Sequence, residues 1–316
     1  MPNTPFKRIL VTGGTGFIGR YVTSRLVAEG HRPVVTQLEL PTEATDLGSD
    51  VELVGLDLRD KEHVSRLLRD LRPDVVLHLA GVTGHSDADG RICDEVNNRA
   101  TAHLLDCLTH DTVTKIVILG SAAEYGPQPT PFREAMSDDP RSPYATSRSQ
   151  ATRYAMSLAS NVRLPVTVIR LFSVFGIGQP KKMFLPQLIE HAISGREFLM
   201  TIGTQLRDFI HVEDCVSAIL LAASSSEANG KIINVAGGVG HKLSDVARVV
   251  WRYSGSDPDL LRIGSIDAHN DDAFDTHADI RLAMDVLGWS PKREFISNNE
   301  SAEALVEMIE SVREAM

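Results

Sequence analysis

The chain has 316 residues, 42% hydrophobic and 23% charged, enough to bury a full core in one large domain or two. Its 32 basic and 42 acidic side chains leave a net charge of −10, which argues against a nucleic-acid surface and against docking on anionic membranes. Cys93, Cys107 and Cys215 form no CxxC pair, so neither a disulfide framework nor a structural zinc is indicated, and without secretory or membrane-spanning apolar runs a cytoplasmic chain is expected.

Short apolar runs alternate with helical patterns through the first half. "RILVTGG" reads as a buried strand, followed by an amphipathic helix from Arg20 that Gly30 is placed to end. "PVVTQL" and "VELVGLDLRD" read as strands, "DKEHVSRLLRDL" as a helix, "DVVLHLAG" as a strand and "EVNNRATAHLLDCL" as a helix. "KIVILGSAAEYG" is a strand ending in a polar turn, "SPYATSRSQATRYA" opens a helix, and "PVTVIRLFSVFG" is one more β-branched strand. Alternation at this pitch predicts right-handed crossovers onto a parallel sheet. Past about residue 175 the rhythm loosens into a smaller, mixed lobe.

"VTGGTGFIG" places Gly14, Gly16 and Gly19 in GxGxxG spacing, with Gly13 added, between a strand and a helix. A Cβ there would obstruct close approach of backbone to a pyrophosphate, and the helix N-terminus offers N–H groups to the anion. Gly13, Gly14, Gly16, Phe17, Ile18 and Gly19 are therefore the expected cofactor contacts of a Rossmann-type, doubly wound α/β fold. At the end of the second strand Gln37 stands where an acid would bind the ribose of NAD. Arg20 could meet a 2′-phosphate, so NAD or NADP stays open, with a slight lean to NADP. Asp57, beside Leu58, could reach the adenine or serve as a turn residue.

In "SPYATSRSQATRYA" Tyr144 and Arg148 lie one helical turn apart on one face. A cation there would favour a phenolate, yet arginine cannot release its own proton as lysine can. An acid–base site, a modified one and a plain helix surface all fit this spacing.

With "TGGTGFIG", "DLRD", "HLAG", "VNNRAT", "GSAAEYG", "PYATSR", "RLFSVFG", "RDFIHVED", "INVAGG" and "LGWSP" in order, the chain resembles the extended short-chain dehydrogenase/reductase family, the NAD-dependent epimerase/dehydratase group acting on nucleotide sugars. The resemblance implies a Rossmann domain over residues 1–172 and a mainly substrate-binding lobe over 173–316, with 207–236 a candidate to return to the first domain. It also implies a homodimer. Tyr144 matches the family's catalytic tyrosine and Ser121 the hydroxyl that shares its sugar oxygen, although Ser121 could also cap a turn. Asn97 matches an asparagine that orders the active-site end of its helix, and Leu79, Ala80 and Gly81 fall beside the cofactor, with Thr83 facing the substrate. Arg148 replaces the lysine that normally binds the nicotinamide ribose; an altered but working site is expected, a slowed or non-redox one being the competing reading.

Dehydratases of this group carry an Asp–Glu pair where this chain has Ala122 and Ala123, and a methyl group cannot move a proton. "GSAAEYG" is closer to the turn of GDP-4-keto-6-deoxymannose reductases and related 4-ketoreductases, so reduction of a 4-keto nucleotide sugar is expected. A C4 epimerase with tightly held NAD, or a catalytically quiet binding protein, are the alternatives. Glu124 reads as a solvated turn residue. Arg207 matches the family's diphosphate arginine; His269 stands near the place of a second one, among aspartates, with Lys181 and Lys182 able to compensate. Ser173 replaces a common asparagine beside the substrate. No regular ligand spacing supports a metal.

Overall fold

A computed structural model describes residues 7–39, 47–84, 89–109, 111, 113–267, 274–296 and 302–315. The chain begins β1 (Ile9–Thr12), α1 (Phe17–Ala28), β2 (Val34–Gln37), β3 (Glu52–Gly55), α2 (Lys61–Leu71) and β4 (Val75–His78). One helical stretch follows in three parts: α3 (Gly90–Cys93), a π-helical turn (Asp94–Arg99) and α4 (Ala100–Asp106). Next come β5 (Lys115–Ser121), a 3-10 turn (Ala122–Tyr125), α5 (Pro143–Val162) and β6 (Val166–Leu171). The remainder comprises β7 (Ser173–Phe175), α6 (Phe184–Ile193), β8 (Phe198–Met200), β9 (Leu206–His211), α7 (Val212–Ser224), β10 (Ile232–Val235), β11 (Gly240–Lys242), α8 (Leu243–Ser254), β12 (Leu261–Ile263), α9 (Arg281–Leu287) and α10 (Glu303–Glu314).

Seven strands form a parallel sheet in the order β10-β6-β5-β4-β1-β2-β3. Successive strand residues serve opposite faces. Ile9, Val11, Val35 and Leu77 pack with α1, α7 and α9, whereas Leu10, Val34, Val76 and Ile116 pack with α2, α4 and α5. Both faces are covered, so the strands read as unbroken apolar runs. Each fully buried branched side chain contributes roughly 1.5–3 kcal/mol. Strand order reverses between β1 and β4, which opens a crevice at their carboxyl ends, where doubly wound sheets bind ligands.

The sequence strand "PVTVIRLFSVFG" is divided. β6 stays in the large sheet, while β7 joins β9 and β11 in a three-stranded sheet of the second lobe. That lobe has its own core of Phe175, Leu185, Phe209, Trp251 and Leu305. β10 returns to the large sheet beside β6, and α7 packs on the α1 face. Among the described residues no helix is long and apolar enough to cross a membrane.

Helix α1 begins at Phe17, one turn earlier than its amphipathic spacing indicates, with Gly16 at the N-cap; Gly30, at φ +87°, follows its end. The early start puts Gly19 inside the helix and against the preceding turn. An added Cβ would lie 2.1 Å from the Gly13 carbonyl oxygen and 2.7 Å from Gly14 Cα, backbone atoms that cannot swing aside. Gly19→Ala should therefore destabilise the protein by about 1–3 kcal/mol or more in urea unfolding, as overpacking does.

Candidate active site

A cavity of about 900 Å³ lies along the carboxyl ends of β1, β2, β4, β5 and β6. Gly13, Gly16, Phe17, Ile18 and Gly19 form one end of its wall, while Gly14 turns inward, its missing Cβ leaving room for Val35. Gly16 is the least crowded of the four, but a Cβ there would still press on the Gly13 carbonyl oxygen at 3.2 Å. No side chain caps α1, so its first N–H groups face the cavity with the positive end of the helix dipole. Gln37 lies in the wall with a buried Nε2 that has no partner among the described residues. An uncapped helix end and an orphaned donor beyond it fit the pyrophosphate and ribose of a dinucleotide.

At that end Asp57 and Leu58 also line the wall. The Arg59 guanidinium grips the Asp57 carboxylate through Nε and Nη2 at 2.7–3.1 Å, and this hydrogen bonding holds the carboxyl below its ordinary range. Arg59 also pairs with Glu95 at 3.7 Å. Arg20, the sequence candidate for a 2′-phosphate, is exposed and outside the described wall.

Leu79, Ala80, Gly81 and Thr83 continue the wall along the end of β4. Beneath them runs a buried relay of hydrogen bonds. Thr101 Oγ1 donates to the Asn97 carbonyl at 2.7 Å, so it accepts from His78 Nε2–H at 2.9 Å. That assignment leaves His78 Nδ1 to accept from Thr12 Oγ1 at 2.7 Å, with a neutral ring. Asn97 lies in the π-helical turn, below the cavity floor. Its amide accepts from the Val82 N–H (2.9 Å) and donates to the Val82 carbonyl (3.0 Å) and Ser147 Oγ (3.1 Å). The π turn, absent from the sequence expectation of a regular helix, shifts the helical register where Asn97 meets this loop.

Burial, and then the nearby Arg148 charge, push the His78 pKa down to about 3. The folded pKa lies below the unfolded value near 6.5, so the ring's contribution is complete above that value. It is lost as pH falls from about 6.5 toward 3, at roughly 1.4 kcal/mol per unit. His78→Gln should flatten the fall in stability between neutral and mildly acidic pH, measured by urea unfolding.

Helix α5 carries the next group. Ser142 caps it by accepting from the Ala145 N–H, and Pro143 occupies its first turn. Tyr144 and Arg148 both line the cavity, as does Ser121 at the end of β5. Arg148 is only 8% exposed. Its Nη1 donates to the Leu119 carbonyl at 3.1 Å, its Nε is buried without a partner among the described residues, and its guanidinium carbon lies 5.6 Å from the Tyr144 ring centroid. Gly81 makes room for this head: an added Cβ would sit 2.0 Å from Arg148 Nη2. Ser121 Oγ accepts from the Ala123 N–H at 3.2 Å, which leaves its own proton free for a ligand oxygen.

Glu124 corrects the sequence reading. It is fully buried rather than solvated: Oε1 accepts the Ser121 N–H at 2.7 Å, and Oε2 takes Arg170 Nε and Nη2 at 3.0 and 2.7 Å. Ser121 and Glu124 form a capping box, and the S-x-x-E spacing was its available sequence signal. Arg170 also reaches Asp138 at 2.5 Å and lies 4.4 Å from the Tyr125 ring centroid. Burial opposes its charge, but Glu124, Tyr125 and Asp138 outweigh it and raise its pKa above the ordinary value.

The candidate substrate residues separate. Ser173 joins Thr83 in the wall; Ala122 packs behind it with Tyr125, Phe132 and Phe172. Arg207 is not in the described wall. Its guanidinium donates to the Leu206 and Phe274 carbonyls at 2.9 and 2.7 Å, because β9 bridges to Thr276 there. Lys181 and Lys182 are exposed between the cavity residues Pro180 and Met183. His269 lies outside the described residues. Among those described, no cluster of metal-ligating side chains occurs.

Gly81→Ala tests the fit around Arg148. The Cβ would meet not only the Arg148 head but also the hydrogen-bonded Asn97 amide oxygen, at 3.0 Å, so a loss of stability of about 1–3 kcal/mol is expected. Displacing the head should also weaken dinucleotide binding in calorimetry about as much as Arg148→Met does.

The profile of the NAD dependent epimerase/dehydratase family matches residues 9–236. The chain is 28% identical over 331 residues to a UDP-glucose 4-epimerase of Neisseria meningitidis serogroup C, covering 94% of this chain and 96% of that one. It is also 28% identical over 303 residues to a dTDP-6-deoxy-L-talose 4-dehydrogenase (NAD(P)(+)) of Kitasatospora kifunensis, covering 92% and 93%. A solved structure of MoeE5 with UDP-glucuronic acid and NAD superposes with a TM-score of 0.84 at 29% identity, covering 98% and 100%. With a profile match through most of its length and relatives aligned nearly end to end, this chain belongs to the NAD dependent epimerase/dehydratase family.

Proposed function

We propose that the protein is a nucleotide-sugar 4-epimerase that uses NAD and carries one acid–base group. One observation carries this reading: the ionisable side chains of the described wall are Asp57, Arg59, Tyr144 and Arg148, and Tyr144 alone among them suits proton exchange with a sugar oxygen. Asp57 and Arg59 are locked together, and Arg148 cannot release its proton. NAD, when bound, supplies hydride uptake and return at a sugar carbon. The helix α1 N-terminus, Gln37 and Arg148 would hold it. Arg59 is engaged by two carboxylates, which favours NAD over the NADP suggested by the sequence.

Tyr144 takes the proton of the sugar C4 hydroxyl as the C4–H electron pair leaves. The free Ser121 proton hydrogen-bonds the oxygen throughout. After the 4-keto sugar has presented its other face, Tyr144 returns the same proton to O4. This cycle needs no proton from solvent, which suits a tyrosine whose neighbour is an arginine. Ala122 and Ala123 supply no acid–base pair for water elimination.

Net 4-ketoreduction, favoured by the sequence turn, is the second reading, and the 4-dehydrogenase relative supports it. Tyr144 would then need recharging from solvent after every turnover. Incubation with NAD and a panel of nucleoside-diphosphate hexoses, followed by NMR, tests the assignment. The C4 epimer should appear without net change in added cofactor, and Tyr144→Phe should lower kcat by about 100-fold or more. Net cofactor oxidation or reduction matching product would instead establish the second reading; no conversion of any hexose or its 4-keto derivative would overturn both.

A further inference from the structure

Ser121 and Tyr144 must meet at one oxygen, yet they sit on different elements, β5 and α5. A buried chain of charges joins those elements from behind. Starting at the Ser121 N–H, it passes through the Glu124 carboxylate to Arg170 on β6, then to Asp138, and ends at Ser149 Oγ, which donates to Asp138 Oδ2 at 2.7 Å. Ser149 is on α5, next to Arg148 and five residues beyond Tyr144. The side chains of Glu124, Arg170 and Asp138 are 0%, 1% and 14% exposed, so solvent does little to screen the chain. Gly120 is part of the arrangement: a Cβ there would lie 2.6 Å from Glu124 Oε1.

We infer that Glu124, Arg170, Asp138 and Ser149 form a positioning strut that fixes the Ser121 turn relative to the helix of Tyr144 and Arg148. None of the four lines the described cavity, so they act through the residues they hold. The catalytic consequence rests on Tyr144 and Ser121 sharing a sugar oxygen, as proposed above; the mechanical link does not. Two charged partners on Arg170 hold the two elements in one register from behind, adding to the Arg148–Leu119 hydrogen bond that joins them on the cavity side.

Ser149→Ala breaks the strut at its mildest joint, leaving every buried charge paired, and Asp138→Ala breaks it one joint earlier by removing the acceptor of Arg170 Nη2. Amide hydrogen exchange of the Ser121 and Ala123 N–H groups is the first readout and requires no substrate. Both variants should speed exchange at those two amides by about tenfold, while β1 and β4 amides keep their protection. In the active protein Ser149→Ala should lower kcat about three- to tenfold with KM unchanged. Combined with Ser121→Ala it should cost no more than Ser121→Ala alone, because the strut acts through that residue. Unchanged exchange at Ser121 and Ala123 in both variants would overturn the inference whatever the rates. So would rate losses of Ser149→Ala and Ser121→Ala that multiply.

Discussion

A guanidinium buried in a parallel sheet must be neutralised from within the protein, and Arg170, on the strand beside the edge, imposes that requirement here. It lies in β6, 1% exposed, between Ile169 and Leu171. Removing one partner of such a pair costs about 3–5 kcal/mol, whereas an exposed pair such as Arg32–Asp50 is worth at most about 1 kcal/mol. The chain therefore folds so that Glu124 and Asp138 reach Arg170, and Tyr125 covers it while donating to Asn234 on β10. The turn after β5, the loop before α5 and the last strand of the sheet are all tied to one cation. Ser121 is placed by the same contacts.

The other side of the site is built on neutrality. Under the glycine turn and the end of β4, His78 is held as a neutral donor–acceptor between two threonines. A second charge there would face Arg148 in a dry interior. The site thus keeps one fixed cation beside Tyr144, seated in the space that Gly81 leaves open and tethered to the Leu119 carbonyl. A lysine could deliver a proton from that position; the arginine supplies charge and hydrogen-bond donors only. A reaction that returns the proton it takes is the chemistry least affected by this exchange.

What the sequence disclosed and what it hid follow from the range of the forces involved. The strand–helix rhythm and the glycine turn are local, and they show as apolar runs and close spacing. So does the α1 stop at Gly30. The break between β6 and β7 depends on β9, more than thirty residues downstream, and no local pattern marks it. The place of Arg207 depends likewise on a bridge to Thr276. Glu124 looked like a surface acid because its partner Arg170 is 46 residues away. Its S-x-x-E spacing to Ser121 was nevertheless legible. The π turn around Asn97 left no periodic signature, since one shifted register barely disturbs an apolar stripe.

The proposed reaction is hydride chemistry at a sugar carbon with Tyr144 handling the accompanying proton. A nucleoside-diphosphate hexose carrying deuterium at C4 tests it most directly. If the C4–H bond breaks with its electron pair and is remade inside the closed site, the epimeric product keeps its deuterium at C4 in ordinary water. Loss of the label to solvent would show that the bond breaks as a proton, and would contradict the account.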